Sequence, residues 1–177
     1  EFRRVLFRSV LFAATERCVV RGLVRVEVPR YDDIENLENP VIVCGFGRVG
    51  QIVGRVLRMH GIGFTALERD PGQVDIVRRF GTKVYYGDPS RPDVLHAAGA
   101  EQAKLLVVAM EDMEETIRIV EVAKRTFPNL RILARARNRR HVHLLIDRGV
   151  HGLVRDTYLS SLRLAGMSLR TLGGSDE

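Results

Sequence analysis

One stretch constrains the fold of this chain more than any other. A short β-branched run, Val41–Cys44, continues directly into a Gly-x-Gly-x-x-Gly turn at Gly45, Gly47 and Gly50, and helical apolar spacing follows as far as Leu57. A strand, a tight turn and a helix in this order are typical of a dinucleotide-binding unit. The first glycine permits the turn, the second lets the backbone approach a pyrophosphate, and the third lets the helix pack close to the strand. The free N–H groups at the start of the helix would hold the anion.

The rest of the chain alternates between strand and helix patterns. Further strands are predicted at Phe64–Glu68, Lys83–Tyr86, Leu105–Ala109, Leu130–Ala136 and Gly152–Val154. Asp70, Asp112 and Asn138 are the predicted caps of the longer helices between them, and a short helix is expected from about Pro92 to Ala98. This alternation with short connections predicts an α/β fold, a Rossmann-type doubly wound parallel sheet of six strands with a C-terminal helix.

The length of 177 residues suits one domain with short attachments. We expect a poorly structured leader or linker at 1–39, of which 1–9 look non-native and 22–28 alternate like a strand. Residues 40–155 form the predicted nucleotide-binding domain, and 156–177 a dimerisation helix and tail. The leucine stripe of that last helix suits a dimer contact, and it equally suits a cover for the chain's own sheet.

Two acidic residues follow strands at the edge where parallel sheets bind ligands. Glu68 ends the second strand about 20 residues after the glycine turn, so we expect it to accept the ribose hydroxyls and to repel a 2′-phosphate. This favours NAD(H) or an adenosine nucleotide such as AMP over NADP, although Arg69 weakens the preference. Asp88 either faces the adenosine or caps a local helix. The complete predicted cofactor-binding set is Gly45, Phe46, Gly47, Arg48, Val49, Gly50, Glu68, Arg69 and Asp88.

Several other kinds of site are not expected. The formal charge of +6 permits a nucleic-acid partner, but the arginines of 131–140 are not interleaved with aromatic residues, so none is predicted. Those arginines form either a site for an acidic ligand or a solvated rim. His141 and His143 do not share a helix face and are predicted to be surface residues rather than metal ligands. The two cysteines are too few for a disulfide framework.

The sequence lacks the signature of a single-domain reductase. Such an enzyme normally carries a Tyr-x-x-x-Lys pair, and no substrate domain follows the predicted nucleotide fold. Tyr31, Tyr85, Tyr86 and Tyr158 are followed at that spacing by Glu35, Pro89, Ser90 and Leu162. We therefore predict no catalytic residue and a regulatory, non-enzymatic function. A small NAD(P)-dependent oxidoreductase remains the competing hypothesis.

Four segments together carry a resemblance to a known family. They are Gly45–Gln51, Leu67–Asp70, Arg79–Asp88 and Leu133–Arg137. In these, the chain resembles the cytoplasmic RCK N-terminal (TrkA-N or KTN) domain of Kef-type glutathione-regulated potassium efflux antiporters. The resemblance implies a six-stranded Rossmann domain that binds a nucleotide and forms a homodimer through exchanged terminal elements. It also implies control of a membrane potassium/proton antiporter domain, which tethers the module to the inner face of the cell membrane.

The same resemblance implies a second ligand. In that family free glutathione keeps the transporter closed, and bulkier glutathione adducts open it. The matching positions are Arg55, Phe80, Lys124 and Arg155, which the resemblance places around the glutathione site. Arginine and lysine side chains suit the carboxylates of the tripeptide. The alternatives are that Arg55 and Lys124 are solvated helix residues and that Phe80 belongs to the core.

Overall fold

A computed structural model describes residues 32–34 and 38–173. In this part of the chain, six strands form one parallel sheet in the order β3-β2-β1-β4-β5-β6. The strands are β1 Val41–Cys44, β2 Phe64–Glu68, β3 Tyr85–Tyr86, β4 Leu105–Val108, β5 Arg131–Ala136 and β6 Gly152–Arg155. The helices are α1 Arg48–Met59, α2 Pro71–Arg79, α3 Pro92–Ala97, α4 Met113–Thr126, α5 Arg139–Asp147 and α6 Tyr158–Thr171. The predicted Rossmann-type fold with a C-terminal helix is confirmed.

The first strand lies at the centre of the sheet. Every residue of β1 is buried, since β2 and β4 flank it and helices cover both faces. Side chains alternate between two apolar clusters, with Ile42 and Cys44 in the larger and Val41 and Val43 in the smaller. The glycine turn therefore starts from the buried centre of the sheet.

The three predicted helix caps are confirmed. The side chains of Asp70, Asp112 and Asn138 each accept a hydrogen bond from a first-turn backbone N–H, at 2.8, 2.8 and 2.9 Å. Such bonds satisfy donors that a helix leaves without partners. Local sequence was sufficient to locate these helix starts because the capping residue and its donor lie within three positions of each other.

The third strand is shorter than predicted, beginning at Tyr85 rather than Lys83. The carbonyl of Val84 is taken by Arg78 of α2, whose Nε and NH2 groups donate to it at 3.0 and 2.8 Å. Asp32 lies beside this strand: its N–H donates to the carbonyl of Tyr86, and its carboxylate accepts from Tyr86 N–H and from Arg78. Part of the predicted leader thus contacts the edge of the sheet. The remainder, 1–31 and 35–37 with the expected strand at 22–28, lies outside the described residues.

Two predictions in the last third of the chain were wrong. His141 was expected at the surface, but it is 1% exposed, because it shares the buried face of α5 with Leu145, one helical turn away. Asp156 was expected to begin the terminal helix, but α6 starts at Tyr158. The carboxylate of Asp156 instead pairs with Arg135, which removes it from the helix end.

The terminal helix makes no buried contact within the chain as described. No residue of α6 is buried, and the leucine stripe is open, with Leu162 52% exposed. Of the two alternatives that the sequence left open, a cover for the chain's own sheet does not fit. None of the described helices combines the length and the apolar character that crossing a bilayer requires.

Candidate functional site

Only glycine fits at the first and third glycine positions of the turn, because a Cβ there would clash with neighbouring atoms. Gly45 has φ +87°, and a Cβ there would lie 2.7 Å from the sulfur of Met110 and 2.9 Å from its backbone nitrogen. A Cβ at Gly50 would lie 2.0 Å from the carbonyl oxygen of Gly45. No side chain fits at either position without moving backbone atoms. These contacts hold the start of α1 against the end of β1, as the spacing predicted.

The second glycine faces open space. A Cβ at Gly47 would meet nothing within 4 Å among the described residues. Gly47 is also the N-cap of α1, where it offers no side-chain cap, and the first turn carries no acidic residue. The first N–H groups of α1 and its positive dipole end are thus available to an anion. We call the region beside this turn, at the carboxyl ends of β1, β2 and β3, the nucleotide cleft.

Glu68 ties the turn to the second strand. It is 7% exposed, and one carboxylate oxygen accepts from the N–H of Phe46 at 2.7 Å. The other accepts from the N–H groups of Arg69 and Asp70 at 2.8 and 3.0 Å. A carboxylate has about four acceptor positions, so it can take roughly one further donor, such as a ribose hydroxyl. The sequence predicted the position of Glu68 but not these three bonds.

Two other members of the predicted cofactor set turn their side chains away from the cleft. Phe46 is buried and stacks on Phe64 with ring centroids 5.9 Å apart, so only its backbone borders the turn. Val49 lines an apolar cavity on the sheet face next to α1. Arg48 is exposed and lies 3.9 Å from Glu111, near the first N–H groups of α1.

The acidic side of the cleft contains an ion pair that the sequence did not predict. Arg69 NH1 donates to Glu115 Oε1 at 2.8 Å, and the Glu115 side chain is 9% accessible. Burial raises the pKa of Glu115, an effect that Arg69 opposes and that the nearby Asp88 charge strengthens. Asp88 itself accepts from Ser90 N–H and Ser90 Oγ at 2.9 and 2.7 Å, so it forms a local turn before α3. No signal short of the fold would have joined Arg69 to Glu115, since 46 residues separate them.

The only cysteine in the described residues lies beneath this cleft and is unsuited to nucleophilic chemistry. Cys44 is completely buried at the end of β1. Burial raises the pKa of its thiol far above the ordinary value, and the charges of Glu68 and Glu115 raise it further. Because the thiolate is the reactive form of cysteine, this shift and the burial both lower the reactivity of Cys44.

A second cavity brings together two residues of the predicted glutathione set. This arginine cavity, of about 430 Å³, lies between α1 and α2, and its lining includes Arg55, Arg58, Phe80 and Thr82. Phe80 is 84% exposed, so it is not a core residue. Two guanidinium groups beside an open aromatic ring provide charge and stacking area for a small acidic ligand.

The other two residues of that set lie elsewhere in the chain. Lys124 is near the end of α4, where its ammonium group approaches Gly149. Arg155 ends β6 and places its guanidinium 4.1 Å from the ring centroid of Tyr158. One chain therefore does not gather Arg55, Phe80, Lys124 and Arg155 around a single cavity.

Sequence reasoning missed a large apolar cavity. It has a volume of about 630 Å³ and lies over β4, β5 and β6, bordered by α1 and by the start of α6. Its apolar lining includes Val53, Leu57, Val107, Leu133, Val154 and Leu159. The sequence of β4 is a continuous apolar run, and such a run does not distinguish a strand covered by its own helices from one with an open face. Leu105 and Val107 are in fact only half-buried.

The basic segment around β5 divides into one paired arginine and a solvated remainder. Arg135 donates from Nε to both carboxylate oxygens of Asp156 at 2.8 Å, and this bond raises its pKa. Arg131, Arg139 and Arg140 are exposed. Among the described residues no group of His, Cys, Asp and Glu side chains is placed to hold a metal ion.

Both the sequence and the fold match known proteins. The sequence model of the TrkA-N domain matches residues 41–156. A Kef C-terminal domain from Shewanella denitrificans, solved in an AMP-bound form, is 41% identical over 77% of this chain and 82% of that chain, with a TM-score of 0.67. The TrkA-N domain of the inner membrane protein ybaL from Escherichia coli is 27% identical over 76% of this chain and 96% of that chain, with a TM-score of 0.63. GsuK bound to ADP, 23% identical over 77% of this chain and 35% of that chain with a TM-score of 0.65, shares the fold.

Proposed function

This chain belongs to the TrkA-N domain family, and from that premise we propose that it is a regulatory nucleotide-binding domain of a potassium transporter. The observation that carries the proposal is the open face of the glycine turn, where Gly47 leaves space beside the uncapped start of α1. A relative with 41% identity was solved with AMP bound. An adenosine nucleotide, AMP or NAD(H), is the ligand that fits this combination.

In the proposed complex, each side of the cleft binds a different part of the nucleotide. The N–H groups that follow Gly47 bind the phosphate, and the exposed Arg48 adds positive charge beside them. Glu68 uses its remaining acceptor position for a ribose hydroxyl. Arg69 and Asp88 border the adenosine side. The side chains of Phe46 and Val49 point away from the cleft, into the core and into the apolar cavity respectively, and do not touch the nucleotide.

Titration calorimetry with AMP tests this proposal directly. The purified chain should bind AMP, and Arg48→Glu should weaken binding by about tenfold or more, because it places a negative charge beside the phosphate. Arg118→Glu, the same charge reversal at an exposed position of α4, is the matched control and should bind AMP normally. If the wild-type chain binds neither AMP nor NADH at millimolar concentration, nucleotide binding is excluded.

The regulatory proposal also predicts that bound NADH is not consumed. The lack of a Tyr-x-x-x-Lys pair in the sequence supports this. NADH and a panel of carbonyl substrates should give no steady turnover. Turnover at roughly 1 per second or faster would favour the oxidoreductase instead.

A homodimer accounts for the two apolar surfaces left open in one chain. The helix α6 exposes its leucine stripe, and the apolar cavity lies over β4–β6. A 14-residue helix without a buried residue is marginal in water. In the proposed dimer, each α6 packs against the cavity of the partner, so that both surfaces leave the solvent.

The second proposed ligand is glutathione or a glutathione adduct, bound between subunits. Arg55 and Phe80 supply one half of the site from the arginine cavity, and Lys124 and Arg155 supply the other half from the partner. Arginine and lysine pair with the two carboxylates of the tripeptide. A bulky adduct displaces the exposed Phe80 ring. The ligand shifts the attached potassium/proton antiporter domain, at the inner face of the cell membrane, only through unequal affinity for its closed and open states.

Calorimetry with glutathione separates this site from the nucleotide cleft. Arg55→Ala and Arg155→Ala should each weaken glutathione binding by about tenfold without changing the affinity for AMP. Arg118→Ala, at an exposed position of α4, is the control. Unchanged glutathione affinity in both variants would exclude these residues from the site.

A further inference from the structure

The Arg69–Glu115 ion pair spans the carboxyl end of the central strand. Arg69 directly follows β2, and Glu115 is in the first turn of α4, after β4. In the sheet, β1 lies between β2 and β4. The bond between Arg69 NH1 and Glu115 Oε1, 2.8 Å long, therefore crosses above the end of β1 and borders the nucleotide cleft.

Glu115 is held in place for this contact. Its backbone N–H donates to the side chain of Asp112, the N-cap of α4, at 2.8 Å. In a capping box the glutamate side chain would reach back to the capping residue. Here it reaches Arg69 instead. A buried carboxylate requires a partner for its charge, and Arg69 provides one at the cost of its own freedom to move.

Negative charge otherwise dominates this side of the cleft. Glu68 accepts from the N–H of Arg69, so its carboxylate lies at the base of the same side chain. The charge of Asp88 raises the pKa of Glu115, and the charges of Glu68 and Glu115 both raise the pKa of the Cys44 thiol. Three carboxylates thus share the region with one guanidinium group.

That guanidinium group lies where this class of fold distinguishes a free ribose 2′-hydroxyl from a 2′-phosphate. In this class of fold, an acidic residue at the end of the second strand takes a free 2′-hydroxyl, whereas an arginine nearby accommodates a 2′-phosphate. Glu68 occupies the acidic position and Arg69 is the neighbouring arginine. A guanidinium group bonded to Glu115 presents little net charge to a phosphate.

We propose that Glu115 is a positioning residue that holds Arg69 across the end of β1 and thereby restricts the cleft to adenosine nucleotides with a free ribose 2′-hydroxyl. The inference rests on the proposed nucleotide-binding function and adds its specificity. It also explains how Glu68, which repels a 2′-phosphate, keeps that effect although Arg69, whose charge would attract one, follows it directly in the sequence.

A matched pair of ligands tests the inference. AMP and adenosine 2′,5′-bisphosphate differ only in the 2′-phosphate, and calorimetry gives the ratio of their dissociation constants. The wild-type chain should bind AMP at least tenfold more tightly, about 1.4 kcal/mol. Equal binding, or tighter binding of the bisphosphate, would overturn the inference, and this measurement needs no variant.

The variant Glu115→Gln should then shift that ratio by about tenfold towards the bisphosphate, because Arg69 keeps its charge without a carboxylate partner. Glu114→Gln removes the same charge from the neighbouring, exposed position and should leave the ratio unchanged. In the double variant Arg69→Gln/Glu115→Gln, the shift should disappear, which a merely structural effect of Glu115 would not produce.

The experiment distinguishes failure of the proposed nucleotide-binding function from failure of this inference alone. If neither ligand binds the wild-type chain, the proposed nucleotide-binding function fails and this inference fails with it. If AMP binds but Glu115→Gln leaves the ratio unchanged, or the double variant retains the shift, only the inference is overturned.

Discussion

At the scale of single residues, the glycines of the turn have different roles, since Gly50 is needed for packing and Gly47 for binding. Gly50 has no room for a Cβ, since the carbonyl oxygen of Gly45 would lie 2.0 Å from it. Gly47 has room, and its φ of −73° is open to any residue. A methyl group added at Gly50 should therefore reduce stability, whereas one added at Gly47 should reduce nucleotide binding.

We expect Gly50→Ala to destabilise the chain by roughly 1–3 kcal/mol, because backbone atoms must move to accept the methyl group. Gly47→Ala should change stability by less than about 1 kcal/mol but weaken AMP binding by about tenfold or more, because its methyl group projects towards the phosphate. Urea unfolding and calorimetry measure the two effects. Equal losses of stability, or wild-type AMP affinity in Gly47→Ala, would contradict this assignment.

Buried His141 should make stability depend on pH. Burial lowers its pKa below the ordinary value, an effect that the charges of Asp112 and Asp156 oppose. Its Nδ1 accepts from the N–H of Arg137 at 3.1 Å, and Nε2 has no hydrogen-bond partner among the described residues. Protonation would break the Nδ1 bond and bury a charge. The stabilising contribution is therefore fully present above the unfolded pKa of about 6.5 and is lost as the pH falls towards the lower folded value.

The measurement is the free energy of unfolding between pH 7.5 and 5.5. His141→Gln should have a shallower decline than the wild-type chain. His143→Gln, at an exposed position on the same helix, should decline as steeply as the wild type. Comparing variants cancels the titration of all other groups, and parallel curves for wild type and His141→Gln would contradict the prediction.

These residues also show what a sequence can and cannot reveal. Gly50 and the caps Asp70, Asp112 and Asn138 were predictable because each contacts a backbone group no more than about five positions away. The bonds of Glu68 to Phe46 and of Arg135 to Asp156 join residues more than 20 positions apart. Such pairs become neighbours only when the sheet forms, so no local pattern encodes them.

At the scale of elements, residues 32–34 stabilise the edge of the sheet. Asp32 bonds Tyr86 of β3 and Arg78 of α2, and Ile34 packs against the larger apolar cluster. The sequence pattern of this region is polar and turn-rich, so it predicted only a linker. The hydrogen bonds that hold it to the sheet reach Arg78 and Tyr86, which are 46 and 54 positions away from Asp32.

Asp32→Ala should destabilise the chain by about 1–3 kcal/mol, because it removes the acceptor of a backbone N–H and of a guanidinium group. Hydrogen exchange at the Tyr86 amide should accelerate, since β3 is an edge strand of only two residues. Asp33→Ala removes the same charge from the neighbouring, exposed residue and is the control. Equal effects of the two substitutions would show that only net charge matters.

At the scale of the whole molecule, the described part of one chain leaves two apolar surfaces exposed. The helix periodicity of α6 correctly predicted the leucine stripe, but periodicity cannot tell which surface a stripe covers. The cavity over β4–β6 was hidden in the sequence because a strand covered by its own helix and one covered by a partner's helix have the same apolar composition. Only the fold shows that α4 and α5 leave this face of the sheet open.

The proposed homodimer predicts that damage to either surface has the same result. Leu162→Asp on α6 and Leu133→Asp in the apolar cavity should each convert a dimer into a monomer in sedimentation velocity, because each buries a charge against apolar surface. Ile146→Asp, an exposed apolar residue of α5 outside both surfaces, should remain dimeric. The melting temperature of the wild-type chain should rise with concentration, whereas that of the two interface variants should not. If the wild-type chain still sediments as a monomer at roughly 100 µM, the exchange of α6 is ruled out.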